Sequence, residues 1–223
     1  MYNHRSLVQT VPPASEPVAM TDAMAWCRVV NTAEEPILAT LISAAREFCE
    51  TFTGRQMMPA TYQASWDRFP MLPNMQYAPG NPNAVVPVVN NMWPLNPGAW
   101  AIRLPMPPLI SVASITYIDP TGVQQTMNPA TDYVVDTASS PGRVTPASGS
   151  FWPETSFMPG AVTVTYQAGY ASVPFGIIQA LKFLVSYWYD NRDAVIVSPS
   201  LKVTESPMGV KMLLWQHRVL SDQ

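Results

Sequence analysis

Apolar positions along the chain follow two rhythms. From Glu35 to Phe52, Ile37, Leu38, Leu41, Ile42, Ala45, Phe48, Cys49 and Phe52 recur at helical spacing, while Arg46, Glu47 and Glu50 fall mostly on the other side. Glu34 and Glu35 suit the positive end of a helix, Pro36 in the first turn costs no hydrogen bond, and Gly54 stops it. A second helical run extends from Pro174 to about Arg192, with Ile177, Ile178, Leu181, Leu184, Val185 and Trp188 as its stripe. Phe183, Tyr187 and Tyr189 lie to its sides, so it is apolar nearly all round; such a helix sits at the centre of a bundle or under another subunit. It is the expected partner of the first. Two shorter helices are predicted. One runs from Thr21 or Asp22, either of which can cap it, to about Val29; the other from Pro207 to about His217, capped by Ser206 and striped by Val210, Leu213 and Leu214.

Between the helices the period changes to two. Thr61–Asp67 places Tyr62, Ala64 and Trp66 on one face. Val112–Ile118 and Val123–Met127 flank Asp119-Pro120-Thr121-Gly122, a type I turn sequence, and read as a hairpin. Tyr133–Asp136 and Arg143–Thr145 form a candidate second pair around Ser140-Pro141-Gly142, and Ala161–Gln167 is the last strand. Near the start, Pro12, Pro13 and Pro17 mark an extended arm, with a short strand at Ser6–Thr10.

Proline and charge sharpen these divisions. Of the 223 residues, 54–175 hold 18 of the 24 prolines but 9 of the 27 charges. The pattern predicts an α+β fold: an arm over 1–20, a helical domain of about four helices from 21–55 and 174–223, and an inserted small antiparallel β-sheet or barrel domain over 56–173. Within the insertion, 69–102 carries no charge, and its Pro/Asn-rich core at 70–99 reads as a long loop. Tyr77, Trp93 and Trp100 argue for an ordered loop, either an arm on a neighbouring subunit or an insertion packed on its own sheet.

Candidate chemistry is sparse. The net charge of −3 and scattered basic residues disfavour a phosphate-gripping surface. No run of 18 apolar residues predicts a membrane span, and no secretion signal is expected. Cys27 and Cys49 read as small buried hydrophobes of a protein made in a reducing cytosol. His4 and His217 lie at opposite ends, and no zinc spacing, phosphate loop or nucleophile elbow is present, so neither catalytic residue, metal nor cofactor is expected. Asp119, Asp132, Asp136 and Glu154 could supply a dispersed acid pair for a hydrolase, against the commoner use of such aspartates in turns.

Several blocks taken in order resemble one family. Glu16-Pro17-Val18-Ala19-Met20-Thr21 with Ala25-Trp26-Cys27-Arg28-Val29 is similar to the first helix of phage head–tail connector proteins, and Ile37–Gly54 to their second. Trp66–Pro70, Ile102-Arg103-Leu104-Pro105, Pro107–Val112, Ile115–Asp119, Pro141–Val144, Tyr166–Tyr170, Trp188–Arg192, Met208–Leu214 and His217–Val219 resemble later family blocks. The uncharged stretch 71–99 departs from the pattern. The resemblance implies a non-enzymatic adaptor of the virion, made in the host cytoplasm and placed in the neck. It would form a homo-oligomeric ring, commonly a dodecamer, under the portal protein. The ring would bear on neck and tail proteins, and double-stranded DNA would pass through without sequence-specific binding. It further implies a portal contact within Pro207–Gln223, at Met212, Trp215, His217, Arg218 and Leu220. Tyr77, Trp93, Trp100, Phe183 and Tyr187 are candidate inter-subunit residues. Other readings stay open: a stopper or tail-side neck ring, or a β-rich glycan- or protein-binding module using Trp93, Trp100 and Trp152.

Overall fold

The computed structural model describes residues 4–70, 75–78, 81–87, 100–191 and 208–219, the two short segments and Met208 by their backbone. Among the described residues there are four α-helices: α1 (Met20–Cys27), α2 (Glu35–Thr53), α3 (Phe175–Asp190) and α4 (Met208–Trp215). The strands are β1 (Ser6–Val11), β2 (Ala60–Trp66), β3 (Met75–Ala78), β4 (Asn81–Pro87), β5 (Ile102–Arg103), β6 (Leu109–Ile118), β7 (Gln124–Thr126), β8 (Tyr133–Asp136), β9 (Arg143–Pro146) and β10 (Val162–Ala168). The fold is α+β, as the two rhythms require. The chain divides into two compact units: Met1–Thr10, Thr61–Pro105 and Ser111–Gln167, mostly strands, and Val11–Ala60, Met106–Ile110 and Ala168–Gln223, mostly helix.

In the helical unit, Leu38, Ile42, Ala45 and Cys49 of α2 meet Ile177, Ala180, Leu181, Leu184 and Val185 of α3, with Val210 and Leu214 of α4 closing the same core. α3 is therefore the partner of α2 and the centre of a bundle within one chain. The apolar positions of α2 are buried to different depths. The buried row is Leu38, Ile42, Ala45, Cys49 and Thr53; the adjacent row holds half-buried Leu41, Phe48 and Phe52, and Ile37 is 40% exposed. The two rows lie about 100° apart around the helix, and Leu41, Phe48 and Phe52 pack against the margin of the same core.

The ends of the helices follow local chemistry unevenly. Gly54, at φ 66°, donates its amide to Glu50 O and ends α2 in the left-handed region that glycine tolerates. α1 starts earlier than Thr21 or Asp22 predict. Its cap position is Ala19, without a side-chain cap, and it ends at Cys27 because Arg28 turns left-handed at φ 57°. Pro174 occupies the cap position of α3 rather than its first turn. Ser206 and Pro207, the predicted start of the last helix, lie outside the described residues.

In the β unit, a five-stranded sheet runs in the order β1-β2-β10-β6-β7 and a three-stranded one in the order β5-β9-β8. Tyr62, Ala64 and Trp66 are buried on one face of β2, as their alternation predicts, and Tyr62 stacks on Tyr166 of β10 at 5.9 Å. The hairpin β6–β7 pairs Thr116 with Thr126, and Gly122 N–H closes its turn on Asp119 O. β8 pairs with β9, Asp136 opposite Arg143. Two features differ from expectation. β5, a two-residue strand, pairs Ile102 with Val144 of β9. The 70–99 stretch is not simply a loop: β3 and β4 form an antiparallel hairpin with Tyr77 opposite Val85, a two-stranded sheet of its own.

Candidate assembly surface

Of the residues singled out for partner contact, Met212, Trp215, Arg218 and Phe183 are exposed and His217, Tyr187 and Trp100 half-buried. In the helical unit, α4 buries Val210 and Leu214 and turns Met212, 72% exposed, and Trp215, 59% exposed, outward. The Arg218 guanidinium lies 5.1 Å from the Trp215 ring and 5.9 Å from Phe52. Trp215 also touches Phe52, which stacks on Phe48, which meets Trp188 edge-on at 6.2 Å. The second row of α2 thus continues into a ladder of aromatic rings from Trp188 to Trp215. Beside it a shallow groove is lined by Ile37, Leu41, Ala44, Trp188 and Asn191. Sequence reasoning named Trp215 and Arg218 but missed that Phe48, Phe52 and Trp188 extend the same strip; the signal was the doubled apolar row on α2.

His217 does not join that strip. It is half-buried; its Nε2 lies 3.4 Å from where a side chain at Gly176 would begin, and burial, with Arg55 nearby, lowers its pKa. The segment after α4 is tied down by its backbone: Arg55 Nε donates to His217 O at 2.6 Å, and Val219 N donates to Thr53 O at 2.8 Å. Leu220 lies outside the described residues.

Of the proposed inter-subunit residues, Phe183 is 40% exposed and packs edge-on against Trp26, itself 42% exposed, at 5.9 Å. Tyr187 is half-buried on α3. In the β unit, Trp100 lies 6.4 Å from the exposed Phe151 ring, and its carbonyl accepts from Trp152 Nε1 at 2.7 Å. Trp152 stacks flat on Phe69 at 4.7 Å. That ring is therefore committed to packing rather than free as a stacking platform for a glycan. Tyr77 is placed only by its backbone in β3, and Trp93 lies outside the described residues. Phe151, Phe157 and Phe175, 64%, 100% and 90% exposed, were not anticipated.

The aspartates considered for acid catalysis do turn work. Asp119 Oδ1 accepts from Thr121 Oγ1, Thr121 N and Val123 N, and its Oδ2 from Gln125. Hydrogen bonds from Thr121 and Gln125 hold its pKa down to about 2. Asp136 accepts from Ser139, Arg143 and Ala138, and bonds from Ser139 and Arg143 lower it likewise to about 2. Carboxyls held this far down are anions at neutral pH with their lone pairs engaged, unsuited to donating a proton. Burial pushes the Cys49 thiol up to about 12, with the Glu50 charge adding to it, which makes it inert. Among the described residues no group of three or more His, Cys, Asp or Glu could hold a metal ion, and no helix is long and apolar enough to cross a membrane.

What each unit offers, among the described residues, is apolar and aromatic surface. Comparison with known proteins bears on its use. No protein-family model matches the chain, and no curated protein matches it. Solved structures do. A chain in the neck of an empty GTA particle computed with C6 symmetry aligns over 98% of this chain and 97% of its own, at TM-score 0.66 and 17% identity. A chain of the virion of a native gene transfer agent (GTA) particle aligns over 97% of each, at TM-score 0.67 and 17% identity. Another, in the neck of a native GTA particle computed with C12 symmetry, covers 98% and 97% at TM-score 0.56 and 18% identity. At such identities the likeness establishes the fold, and it does so across both units.

Proposed function

We propose that this chain is a structural subunit of the neck of a tailed phage or phage-like particle: an adaptor ring, dodecameric, docked under the portal and carrying the DNA channel towards the tail. The observation that carries the reading is the full-length match in fold to chains of GTA necks and virions, one neck computed with C12 symmetry. The chemistry agrees with it. The aspartates are spent on turns, and the net charge of −3 suits a conduit, since each phosphate contact would add salt-dependent affinity and drag. The helical parts, 21–55 and 174–223, form the docking domain in this reading, and 56–173 the inserted β domain. Phe183, Tyr187 and Trp100 face neighbouring copies, and Tyr77 and Trp93 are assigned to the same contact. Met212, Trp215, His217, Arg218 and Leu220 belong to the portal contact in this reading, of which Met212, Trp215 and Arg218 are exposed.

A test follows from the exposure of α4. Deleting the segment after Trp215 would strip the anchors to Thr53 and Arg55, so point changes are cleaner. Met212→Glu with Trp215→Glu places two charges on exposed positions and should leave the melting temperature of the chain within a few degrees of the parent. Particles made with this variant are expected to be heads without tails, or heads that leak DNA. Normal tailed particles would contradict the portal contact. Intact portal attachment with loss of the next neck protein would favour a stopper or tail-side ring instead.

A further inference from the structure

We infer that His217 is an acid-sensitive latch: its neutral imidazole seats the segment after α4 on the helical unit, and protonating it releases that segment. The latch lies within one unit and does not depend on the ring reading.

The seat is built from both sides of the ring. His217 N closes the turn after α4 on Leu214 O at 3.0 Å. The chain then runs back along the exit of α2, where Arg55 Nε donates to His217 O at 2.6 Å and Val219 N to Thr53 O at 2.8 Å. Between these ties the imidazole is half-buried against the start of α3. Its Nε2 lies 3.4 Å from where a side chain at Gly176 would begin, so glycine at this position leaves the ring its place. The ring thus sits between the exit of α2 and the first turn of α3, on the segment that both backbone ties hold.

A cation is disfavoured at this place for three reasons. Burial takes the ring out of water, which penalises its charged form. The Arg55 guanidinium is close by. The first turn of α3, a helix of 16 residues, is the positive end of its dipole. Among the described residues Arg55 is the charge that acts on the imidazole; residues 175–178 of α3 and the last turn of α4 carry none, and Arg218 turns to Trp215 and Phe52. The pKa of His217 accordingly lies below the ordinary 6.5, with burial the larger cause and Arg55 the smaller. A histidine whose value is lowered in the seated form contributes to seating above its free value, and that contribution is lost as pH falls from about 6.5 through the lowered value. The seat is therefore firm at neutral pH and loosens in acid. Because Arg218 reaches over Trp215 and Phe52, loosening this segment also disturbs the outward face that α4 shares with α2.

Hydrogen exchange on the full-length chain between about pH 7.5 and pH 5 tests the latch, alongside NMR titration of the two imidazoles. His4→Gln, at an exposed position, identifies the His217 signal. After correction for intrinsic exchange, the Val219 amide should lose protection by about threefold or more, at a midpoint that follows the titration of His217. The amides of Ala45 and Cys49, inside α2, should keep theirs. His217→Gln is neutral throughout and should hold Val219 protection level across the range. A loss that persists in that variant would overturn the inference and point to Glu50, whose buried carboxyl is raised and lies on the same exit of α2. Unchanged Val219 protection in the parent while His217 takes up its proton would overturn it as well, as would an imidazole titrating at or above 6.5. If His217→Gln is unseated already at neutral pH, the parent decides: coincident midpoints support the latch, and separate ones contradict it.

Discussion

Replacing Gly169 by alanine should cost the helical unit about 3–5 kcal/mol, combining a forbidden backbone region with an overpacked contact. Gly169 sits just after β10 at φ 139°, which side chains on L-residues rarely adopt. A Cβ there would lie 2.6 Å from the Met58 carbonyl carbon and oxygen and from Pro59 N. These are backbone atoms and cannot swing aside. The approach is held by two hydrogen bonds, Gly169 N to Pro108 O at 2.9 Å and Tyr170 N to Met57 O at 3.3 Å. Moving either strand would break them. Against a typical total stability of about 5–15 kcal/mol, the variant should melt more than about 10 °C below the parent or fail to accumulate as soluble protein. A thermal scan that matches the parent would show that this close approach is not required.

The second large effect is expected at Arg46. Periodicity places this residue on the polar side of α2, yet it is 8% exposed, and Glu50 is 7% exposed. Arg46 donates from Nε to Glu16 at 2.9 Å and from Nη1 to Glu50 at 2.8 Å. Glu50 in turn accepts from Gln56 Nε2 at 2.8 Å and from Met57 N at 3.2 Å, and Glu16 accepts from Ser43 Oγ at 2.8 Å. Burial alone would lower the Arg46 pKa, but the charges of Glu50 and Glu16 outweigh it and hold the value up. Burial raises the Glu50 carboxyl despite the pull of Arg46. The network ties three segments together: the N-terminal stretch at Glu16, the body of α2, and the chain that leaves α2 at Gln56.

Arg46→Met removes the cation and strands a buried carboxylate, a change that costs about 3–5 kcal/mol in comparable networks. Arg46→Met together with Glu50→Gln removes both charges and should recover much of that loss, since the amide can still accept from Gln56 and Met57. Denaturant titration of the two single variants and the double variant measures the coupling directly. Additive losses would mean that the pair does not act as a unit.

These two sites also mark where the sequence could and could not be read. The α2 stop at Gly54, the Asp119–Gly122 turn and the alternation of Tyr62, Ala64 and Trp66 were legible because their causes lie within a few residues of the effect. The burial of Arg46 and Glu50 was not, because it depends on Glu16, thirty residues away from Arg46 along the chain. β5 is two residues long and exists through Val144, forty-two positions beyond Ile102, so no local pattern announces it. The β3–β4 hairpin was hidden by the prolines that ordinarily argue against strands. On the candidate surface, Met212, Trp215 and Arg218 were named from the resemblance to the connector family's C-terminal segment. Their union with Phe48, Phe52 and Trp188 into one strip needed the packing of α4 on α2.

The bundle core bears on assembly as well. With Leu38, Ile42, Leu181 and Leu184 buried inside one chain, the helices do not need neighbours to hide their main stripes. Among the described residues, large apolar side chains that stay exposed include Phe175, Phe183, Trp26, Met212 and Trp215 on the helical unit and Phe151 and Phe157 on the other. Such a protomer can fold first and assemble afterwards.

The central claim is best tested by imaging the neck of the particle that contains this chain. The expected image is a closed ring of copies at the junction of head and tail, with Met212 and Trp215 of each copy against the portal. Copies found elsewhere in the particle, or a neck built without them, would contradict it.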